Sequence, residues 1–338
     1  MIGGGQLARM THQAAIALGQ SLRVLAVSAD EPAAQVTPEV VLGSHTDLDA
    51  LRRAAAGASA LTFDHEHVPT ELLDALVADG VNVAPPPSAL VHAQDKLVMR
   101  RKLAELGAPV PRFLEITALD ELGALDAFAA EIAGPLVVKA ARGGYDGKGV
   151  TLADDLAAAR SAAVDYLTGA SAATGNASAG TAVLVEEKVA MRRELAALVA
   201  RSPFGQGAAW PVVQTVQEDG ICVEVIAPAP ELDPELATAA GQLALRLADA
   251  LGVVGVLAVE LFETTDGTLL VNELAMRPHN SGHWSMDGAR TSQFEQHLRA
   301  VLDYPLGDTS PIAPVTVMGN VLGAAEVPSM SMDERVHH

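Results

Sequence analysis

Short apolar runs alternate with stretches of helical periodicity along the first part of the chain. This alternation predicts strands joined by crossover helices, and therefore a parallel α/β sheet. The predicted strands span residues 22–27, 61–63 and 81–84, and the predicted helices span residues 3–18, 47–56 and 71–78. Prolines at 85–87 then block both a helix and a central strand. A domain boundary is predicted there, with Ser88 as the cap of the next helix.

Longer strands with alternating apolar positions follow a helix from residue 96 onward, and they predict a mixed sheet of the α+β kind. These strands are predicted at residues 136–140, 182–186, 194–200, 211–217, 221–227, 254–262 and 269–274. Residues 168–181, almost wholly Ala, Ser, Gly and Thr, are predicted as a surface insertion, and a helix at 292–302 precedes a strand at 315–321. We therefore assign an N-terminal parallel α/β domain, a larger α+β domain and a small C-terminal domain to residues 1–92, 93–291 and 292–338.

The formal net charge is -20, from 22 basic and 42 acidic residues. A field of this sign repels the phosphate backbone of nucleic acids, so a nucleic-acid partner is not expected. A local cluster of cations, or a metal ion, can still hold a small anion. The single cysteine, Cys222, cannot form an internal disulfide, and no apolar run approaches the length of a membrane span. We therefore expect a cytoplasmic protein with no membrane partner.

Residues 3–8, GGGQLA, match the loose pattern G-x-G-x-x-A. Glycines in this pattern let the backbone turn tightly and approach a phosphate at a helix N-terminus. A glycine turn that serves only to pack a strand on a helix explains the motif equally well. The pattern expects a strand before the turn, where only Met1 and Ile2 stand. Because no acidic ribose ligand stands at the expected spacing, a nicotinamide enzyme is disfavoured.

The run VVKAARGGYDGKGV at residues 137–150 is a stronger signal, because a strand that ends in a lysine continues into a glycine loop. Backbone N–H groups and lysines supply positive potential, and the glycines let the loop close over a polyphosphate and expel water. The alternative is a hairpin turn with solvated charges. The number of glycines and charges favours polyphosphate binding.

Glu260 and Glu273 flank the Asp-Gly dipeptide at 266–267, which favours a tight hairpin turn. Centring a hairpin there pairs the two glutamates and places Phe262 and Val271 on the same face. Opposed, partly buried carboxylates repel each other, and a divalent cation removes that cost. Mg²⁺ typically uses one or two carboxylates together with substrate phosphates. The alternative is that each glutamate pairs separately with an arginine.

Asn272 is expected on the other face of the second strand unless a β-bulge re-aims it, in which case its oxygen suits the same cation. Residues 185–189, VEEKV, offer backbone groups to an adenine edge and a carboxylate to ribose, although alone they are also a charged strand end. Residues 277–284, RPHNSGHW, gather anion-binding groups on one loop. Zinc binding by two histidines of this loop is disfavoured, since no cysteine or third histidine lies nearby. Residues 62–69, TFDHEHVP, are expected to meet this loop across the domain cleft.

These motifs resemble those of the bacterial N5-carboxyaminoimidazole ribonucleotide synthetases, carboxylating purine-biosynthesis enzymes of the ATP-grasp superfamily. The resemblance runs nearly from end to end. It rests on GGGQLARM at Gly3, FDHEHVP at Phe63, QDK at Gln94, VVKAARGGYDGKG at Val137, VEEKV at Val185, QEDGI at Gln217, VNELAMRPHNSGHW at Val271 and TSQFEQHLRA at Thr291. It implies an ATP-grasp fold with an N-terminal pre-ATP-grasp domain, a lid subdomain at about 108–186 and a small C-terminal domain.

The resemblance also implies roles for individual residues, with ATP and Mg²⁺ (or Mn²⁺) as cofactors. The implied nucleotide and metal site comprises Lys96, Lys139, Gly143, Gly144, Tyr145, Asp146, Gly147, Lys148, Gly149, Glu186, Glu187, Lys188, Val189, Glu194, Gln214, Glu260, Asn272 and Glu273. The implied bicarbonate and 5-aminoimidazole ribonucleotide site comprises Glu66, Tyr145, Asp146, Lys148, Arg277, His279 and Asn280.

The implied reaction phosphorylates bicarbonate with ATP, and the resulting carboxyphosphate delivers CO2 or its equivalent to the exocyclic amine of the ribonucleotide. Arg277 and His279 would stabilise the anion. The family further suggests a homodimer. The chain departs from the family pattern at Met276, where proline is usual, and the family continues beyond His338 into a basic segment that helps bind the ribonucleotide phosphate.

Two other functions compete with this interpretation. A formate-dependent glycinamide ribonucleotide transformylase would share the nucleotide and metal residues, but the loop at 277–284 argues against it. A nucleotide-binding regulatory module without turnover would not need Lys139 together with two opposed metal carboxylates, Glu260 and Glu273.

Overall fold

The computed structural model describes residues 1–144, 148–170, 180 and 182–321. Its N-terminal domain comprises α1 (Gln6–Ala17), β1 (Arg23–Ala26), β2 (Glu39–Leu42), α2 (Leu48–Ala55), α3 (Thr70–Ala78) and α4 (Pro87–Gln94). β1 and β2 pair in parallel, as expected for this domain, although no strand was predicted at the position of β2. Ile2 bridges in parallel to both Leu25 and Phe63, and Leu61 bridges to Val83. Ile2 therefore occupies the position of the expected first strand, and the predicted strands at 61–63 and 81–84 are single parallel bridges.

The start of α4 corrects one prediction. The helix begins at Pro87 and the residue before its first turn is Pro86, so Ser88 lies inside the helix and does not cap it. Proline suits the first helical position because its φ is already helical and that position needs no N–H donor.

A four-stranded sheet forms the first part of the larger domain. Its elements are α5 (Lys96–Glu105), β3 (Phe113–Ile116), α6 (Ala124–Ile132), β4 (Leu136–Ala140), β5 (Val150–Ala153), α7 (Leu156–Thr168) and β6 (Val183–Glu187). The strand order is β3-β6-β4-β5, and neighbouring strands are antiparallel. Lys139 therefore lies near the end of a central strand, immediately before the glycine loop.

A second sheet holds the remaining strands. Its elements are β7 (Met191–Arg201), β8 (Gly207–Ala209), β9 (Val213–Glu218), β10 (Ile221–Ala227), α8 (Pro234–Ala250), β11 (Gly255–Thr264), β12 (Leu269–Ala275), α9 (Ser285–Gly288), α10 (Gln293–Val301) and β13 (Thr316–Gly319). The order is β12-β11-β7-β9-β10-β13, and β8 pairs with β7. The prediction of a mixed sheet was wrong: within the described residues, every strand pair of this domain is antiparallel.

Alternate residues of β7 enter two different apolar cores. Leu195 and its like-facing neighbours pack with Phe63 and Leu90 of the N-terminal domain in one continuous core. Ala196 and its neighbours pack on the other face with Cys222 and two tryptophans. Each fully buried large apolar side chain contributes roughly 1.5–3 kcal/mol. The four-stranded sheet encloses a separate core with α6 and α7, so it has its own packing unit.

His297 of α10 joins the N-terminal domain to the second sheet. The imidazole is fully buried, its Nδ1 accepts the N–H of Val256 at 3.2 Å, and its Nε2 lies 2.7 Å from Oγ1 of Thr62. Because Nδ1 accepts, Nε2 carries the proton and donates to Thr62. Burial lowers the pKa of His297 to about 4.

None of the helices within the described ranges combines the length and apolarity needed to cross a membrane.

Candidate active site

The hairpin of β11 and β12 sets Glu260 directly opposite Glu273, as predicted. The register near the turn differs from the prediction, because Leu261 pairs with Val271 and the loop closes with the N–H of Thr264 donating to the carbonyl of Thr268 at 2.9 Å. A bulge between positions 260 and 261 of the register then restores the glutamate pair.

The bulge changes which side chains share the carboxylate face. Val271 was expected beside the glutamates, but it packs with Leu261 in the apolar core. Asn272 instead turns toward the site, where its Oδ1 accepts a hydrogen bond from Nζ of Lys139 at 3.1 Å. The predicted register was wrong by one residue near the turn, but the bulge offsets this difference, so the predicted pairing of the two glutamates is confirmed.

Two lysines from different elements approach the carboxylate face. Lys96 at the start of α5 donates to Oε1 of Glu273, and Lys139 at the end of β4 lies 2.7 Å from Oε2 of Glu186. Burial disfavours the charge of Lys96, but Glu273 and Glu260 outweigh it and raise the pKa of that lysine. Burial likewise disfavours the charge of Glu273, yet Lys96 and Lys139 hold its pKa below the ordinary value. Lys96 and Glu273 are therefore both charged at neutral pH.

Arg100 of α5 is a site residue that the sequence did not reveal. Its side chain is fully buried, lies 2.5 Å from Oε1 of Glu186, and donates to the carbonyls of Val271 and Asn272 at 2.7 and 2.9 Å. It therefore ties the carboxylate strand β12 to strand β6 of the other sheet. In the sequence, Arg100 stands beside Arg101 and looks like one of several solvated helix charges.

One cavity of about 590 Å³ lies between the two sheets. Its apolar wall includes Val137, Val150, Leu152, Val189 and Met191, and its polar wall includes Lys139, Lys148, Glu186, Glu187, Lys188, Glu194, Gln217, Asn272 and Asn280. Burial raises the pKa of Glu194, and the Glu260 carboxylate adds to that shift. The dimensions and the mixed lining suit a nucleotide. We call this space the nucleotide cavity.

Gln214, which the resemblance placed in the nucleotide site, lines neither this cavity nor the next among the described residues. Its Oε1 accepts a hydrogen bond from Arg193 at 3.2 Å. Gln217, three positions later on the same strand, faces the nucleotide cavity and interacts with Glu194. The QEDGI motif begins at Gln217, but the resemblance assigned the site role to Gln214 instead.

A second cavity, of about 550 Å³, lies between the N-terminal domain and the second sheet. We call it the acceptor cavity, because the resemblance places the carboxyl acceptor, 5-aminoimidazole ribonucleotide, at Glu66 and Arg277 in its wall. Its lining includes Glu66, Gln94, Arg142, Gly143, Arg277 and residues shared with the nucleotide cavity, which are Lys96, Gly144, Glu260, Glu273 and His279. The two cavities therefore meet at the opposed carboxylates.

Arg277 and Glu66 join the two loops that were expected to meet across the domain cleft. Nε of Arg277 donates to Oε2 of Glu66 at 2.7 Å, and the N–H of Met276 donates to the other oxygen at 3.3 Å. Burial works against the arginine charge, but Glu66 and Asp64 together raise the pKa of Arg277. The arrangement presents a fixed cation beside the carboxylate pair.

His279, in the same loop as Arg277, contacts one of the two opposed carboxylates. Its Nε2 is 3.2 Å from Oε1 of Glu260, and its Nδ1 is 2.9 Å from the hydroxyl of Ser281. Buried Gln293 holds the His279 backbone on both sides, accepting from its N–H at 2.8 Å and donating to its carbonyl at 2.7 Å. The amide nitrogen of Gln293 also lies 2.8 Å from Nδ1 of His283, so one glutamine fixes the backbone of His279 and the imidazole of His283.

The glycine turn at residues 3–8 receives a carboxylate from its own chain. The N–H of Gly5 donates to Oδ2 of Asp64 at 2.7 Å, and a Cβ at Gly3, whose φ is +102°, would fall 1.5 Å from the other carboxylate oxygen. Burial raises the pKa of Asp64 to about 6. The close approach of Asp64 explains the glycines and favours the packing interpretation of this motif.

The glycine loop after β4 is described at both ends. The N–H of Ala140 donates to the carbonyl of Gly149 at 2.8 Å, which closes the base of the loop. Tyr145, Asp146 and Gly147, which the resemblance assigned to the site, lie outside the described residues.

Comparisons with known proteins follow the same division of the chain. A model of the ribonucleotide synthetase preATP-grasp domain matches residues 1–94, and an ATP-grasp domain model matches residues 101–294. The N5-carboxyaminoimidazole ribonucleotide synthase of Mycobacterium tuberculosis is 73% identical over 338 residues, covering 100% of this chain and 76% of the relative.

Solved structures of enzymes with the same name have a similar fold. The N5-carboxyaminoimidazole ribonucleotide synthetase of Thermus thermophilus superposes with a TM-score of 0.82 at 36% identity, covering 96% of this chain and 84% of the other. The Aspergillus clavatus enzyme in complex with ADP and 5-aminoimidazole ribonucleotide gives a TM-score of 0.84 at 29% identity, covering 96% and 82%. The matched domains, the sequence identity and the shared fold together establish that this chain belongs to the N5-carboxyaminoimidazole ribonucleotide synthase family of ATP-grasp ligases.

Proposed function

We propose that this chain carboxylates 5-aminoimidazole ribonucleotide with bicarbonate, consuming ATP and forming N5-carboxyaminoimidazole ribonucleotide, ADP and phosphate in purine biosynthesis. The observation that carries the proposal is the meeting of two cavities at Glu260 and Glu273. A nucleotide in one cavity and an acceptor in the other would bring the transferred phosphoryl group to this shared wall. The Aspergillus clavatus relative, whose structure holds ADP and 5-aminoimidazole ribonucleotide, supports the same pair of ligands here.

The carboxylate pair fits Mg²⁺. Glu260 uses one oxygen toward His279 and Glu273 uses one toward Lys96, which leaves a second oxygen on each carboxylate for a cation. Hard oxygen ligands with vacant positions for substrate phosphates are what Mg²⁺ prefers. The described residues contain no cluster of three or more His, Cys, Asp or Glu ligands, so phosphate oxygens would complete the coordination. Bound there, Mg²⁺ would neutralise charge on the phosphates.

The residues of the nucleotide cavity would position ATP. Lys139 and Lys96 would hold the phosphates, and the glycine loop with Lys148 would cover them and exclude water. Glu186 through Val189 line the wall where adenine would find backbone partners, and Glu194 would bind the ribose hydroxyls.

Arg277 and His279 would bind bicarbonate next to the terminal phosphate. A bicarbonate oxygen attacks the γ-phosphorus, ADP leaves, and carboxyphosphate forms. The exocyclic amine then attacks the carboxyl carbon, the C–O bond breaks, and phosphate leaves with that oxygen while the amine loses a proton. Preorganised cations in a closed cavity stabilise the charge of these anions more strongly than water does.

Two further features are proposed on narrower grounds. The family resemblance supports a homodimer, which sedimentation velocity of the full chain would test. The single buried thiol of Cys222 supports a reducing, cytoplasmic location.

The decisive experiment measures phosphate release from ATP with Mg²⁺, bicarbonate and 5-aminoimidazole ribonucleotide, omitting each component in turn. Repeating it with formate and glycinamide ribonucleotide tests the related ligase activity. Bicarbonate labelled with ¹⁸O distinguishes the route, because phosphorylation of bicarbonate leaves one labelled oxygen in the released phosphate.

We expect release that requires all components, with ¹⁸O in the phosphate. Release with formate and glycinamide ribonucleotide but not with bicarbonate would refute the substrate assignment. Release that is independent of the aminoimidazole nucleotide, with no label transferred, would refute the carboxyphosphate route.

A further inference from the structure

Arg142 lies at the first turn of the glycine loop, in the wall of the acceptor cavity, and the reaction described so far gives it no role. Its side chain is about half exposed, and its Nε donates to Oδ2 of Asp95 at 2.7 Å. Arginine carries five N–H donors in a planar fork, and this contact uses one of them. Within the described residues, no hydrogen-bond partner contacts the two terminal nitrogens of Arg142.

Asp95 holds the arginine from a fixed position. Its Oδ1 caps helix α5 by accepting the N–H groups of Leu97 and Val98 at 3.0 and 3.1 Å, so the carboxylate cannot rotate freely. The N–H of Lys96 also donates to the carbonyl of Ala141 at 2.9 Å. One ion pair and one backbone bond thus fix the start of the glycine loop against the helix that carries Lys96.

Lys96 and Arg277, which also line the acceptor cavity, already form ion pairs with glutamates. Lys96 is paired with Glu273, and Arg277 is paired with Glu66. Arg142 is the arginine whose outer edge, with four N–H donors, faces this cavity without a protein acceptor among the described residues. A planar pair of N–H groups matches two oxygens of a phosphate group better than a point charge does.

We propose that Arg142 is a substrate-binding residue that binds a phosphate group in the acceptor cavity, and that Asp95 is the positioning residue that orients the Arg142 side chain. The inference deepens and rests on the proposed function, since that function supplies the phosphorylated ligands. Two sources of phosphate reach this cavity, the ribonucleotide and the terminal phosphate of ATP. Arg142 lines the acceptor cavity and not the nucleotide cavity, so the ribonucleotide is the expected source.

The test compares Arg142→Gln, Arg142→Lys and Asp95→Asn with the matched control Arg101→Gln. Arg101 is an equally exposed arginine, paired with Glu115, and it lines neither cavity. Calorimetry of the full chain measures the affinity for ATP with Mg²⁺, and then for 5-aminoimidazole ribonucleotide with ADP and Mg²⁺ present. Because binding is measured directly, the result does not depend on turnover.

We expect Arg142→Gln to weaken ribonucleotide binding about ten- to a hundredfold, with ATP binding changed by less than about threefold. Arg142→Lys should lose less, because it keeps the charge but not the fork. Asp95→Asn should weaken ribonucleotide binding several-fold without changing the melting temperature, since asparagine also caps helices well.

Weakened ATP binding with unchanged ribonucleotide binding would identify the terminal phosphate of ATP as the ligand of Arg142. If Arg142→Gln binds both ligands as the Arg101→Gln control does, the proposal is overturned. A wild-type chain that binds ATP but not the ribonucleotide contradicts the proposed function, and the ATP measurements on the variants then decide the role of Arg142.

Discussion

Glu273 accepts a hydrogen bond from Lys96 and offers a negative charge to a cation, and the substitution by glutamine removes only the charge. One carboxylate oxygen accepts from Lys96 and the other is available to a cation. Glu273→Gln keeps the shape and one acceptor oxygen but removes the charge. We expect turnover to fall on the order of a thousandfold or more, because charge neutralisation at the transferred phosphoryl group depends on it. Steady-state phosphate release measures the effect.

The matched control is Glu224→Gln, a carboxylate on β10 that lines neither cavity. Both variants should unfold cooperatively within a few degrees of the parent chain. Normal turnover in Glu273→Gln would contradict the metal assignment.

The sequence indicated the partly exposed residues that line the two cavities better than the buried residues that support them. Glu260, Glu273, Arg277 and Glu66 stand at strand ends or a hairpin, where local patterns indicate their neighbours. Gln293 and Arg100 were missed because their partners, such as Glu186, come from distant segments. A buried polar side chain satisfied by distant groups leaves no periodic signal in the sequence.

At the scale of elements, Arg100 connects α5 to strands of both sheets. Arg100→Met removes the cation beside Glu186 and leaves the carbonyls of Val271 and Asn272 without their donor. Removing one partner from a buried ion pair costs about 3–5 kcal/mol. We expect a loss of that order in the free energy of unfolding, measured by urea denaturation, together with weaker ATP binding.

Arg101→Gln on the next position of α5 serves as the control, and it should change stability by less than about 1 kcal/mol because its ion pair is exposed. If Arg100→Met were as stable as this control, the connecting role of the buried arginine would be wrong.

The β11–β12 hairpin shows why elements are easier to predict than their register. The Asp-Gly dipeptide correctly located the turn, but a longer loop shifted the pairing by one residue and a bulge at Asn272 shifted it back. Bulges depend on side-chain contacts such as that of Asn272 with Lys139. The helices α6, α7 and α8 were not assigned from the sequence. In the alanine-rich α7, apolar and polar faces contrast only weakly.

For the whole molecule, His297 is one of the groups whose shifted pKa makes stability depend on pH. Its pKa is about 4 in the folded chain, below the ordinary 6.5, because burial disfavours the cation. The unfolded chain therefore binds a proton between pH 6.5 and 4 that the folded chain does not. The titration of His297 therefore does not lower the free energy of unfolding above pH 6.5. It lowers that free energy by roughly 3 kcal/mol as the pH drops to 4.

His297→Gln isolates this contribution, because glutamine stays neutral while it can still reach Thr62. We expect a less stable variant at pH 7, whose free energy of unfolding falls less steeply between pH 6.5 and 4. Comparing the two chains cancels the opposite contribution of Asp64, whose raised pKa favours the folded state as the pH falls. Parallel curves for the two chains would show that His297 does not titrate as described.

The parallel pairing in the N-terminal domain was predictable from the alternation of apolar runs and helical stretches. The shared core was not, because Phe63, Leu90 and Leu195 join it from three segments that look self-contained in sequence. The hydrophobicity of a side chain predicts that it is buried, but it does not predict which other segment packs against it.

The buried thiol of Cys222 has a practical consequence for experiments that attach a fluorescent label. Burial raises the pKa of this thiol to about 11, and its side chain is almost fully covered. Reagents such as maleimides react with the thiolate, so the native chain should be nearly inert to them at neutral pH. A cysteine introduced at an exposed position of the four-stranded sheet would then be the one labelled site. A fluorophore there would test whether this sheet moves when ATP binds, without prior removal of the native cysteine.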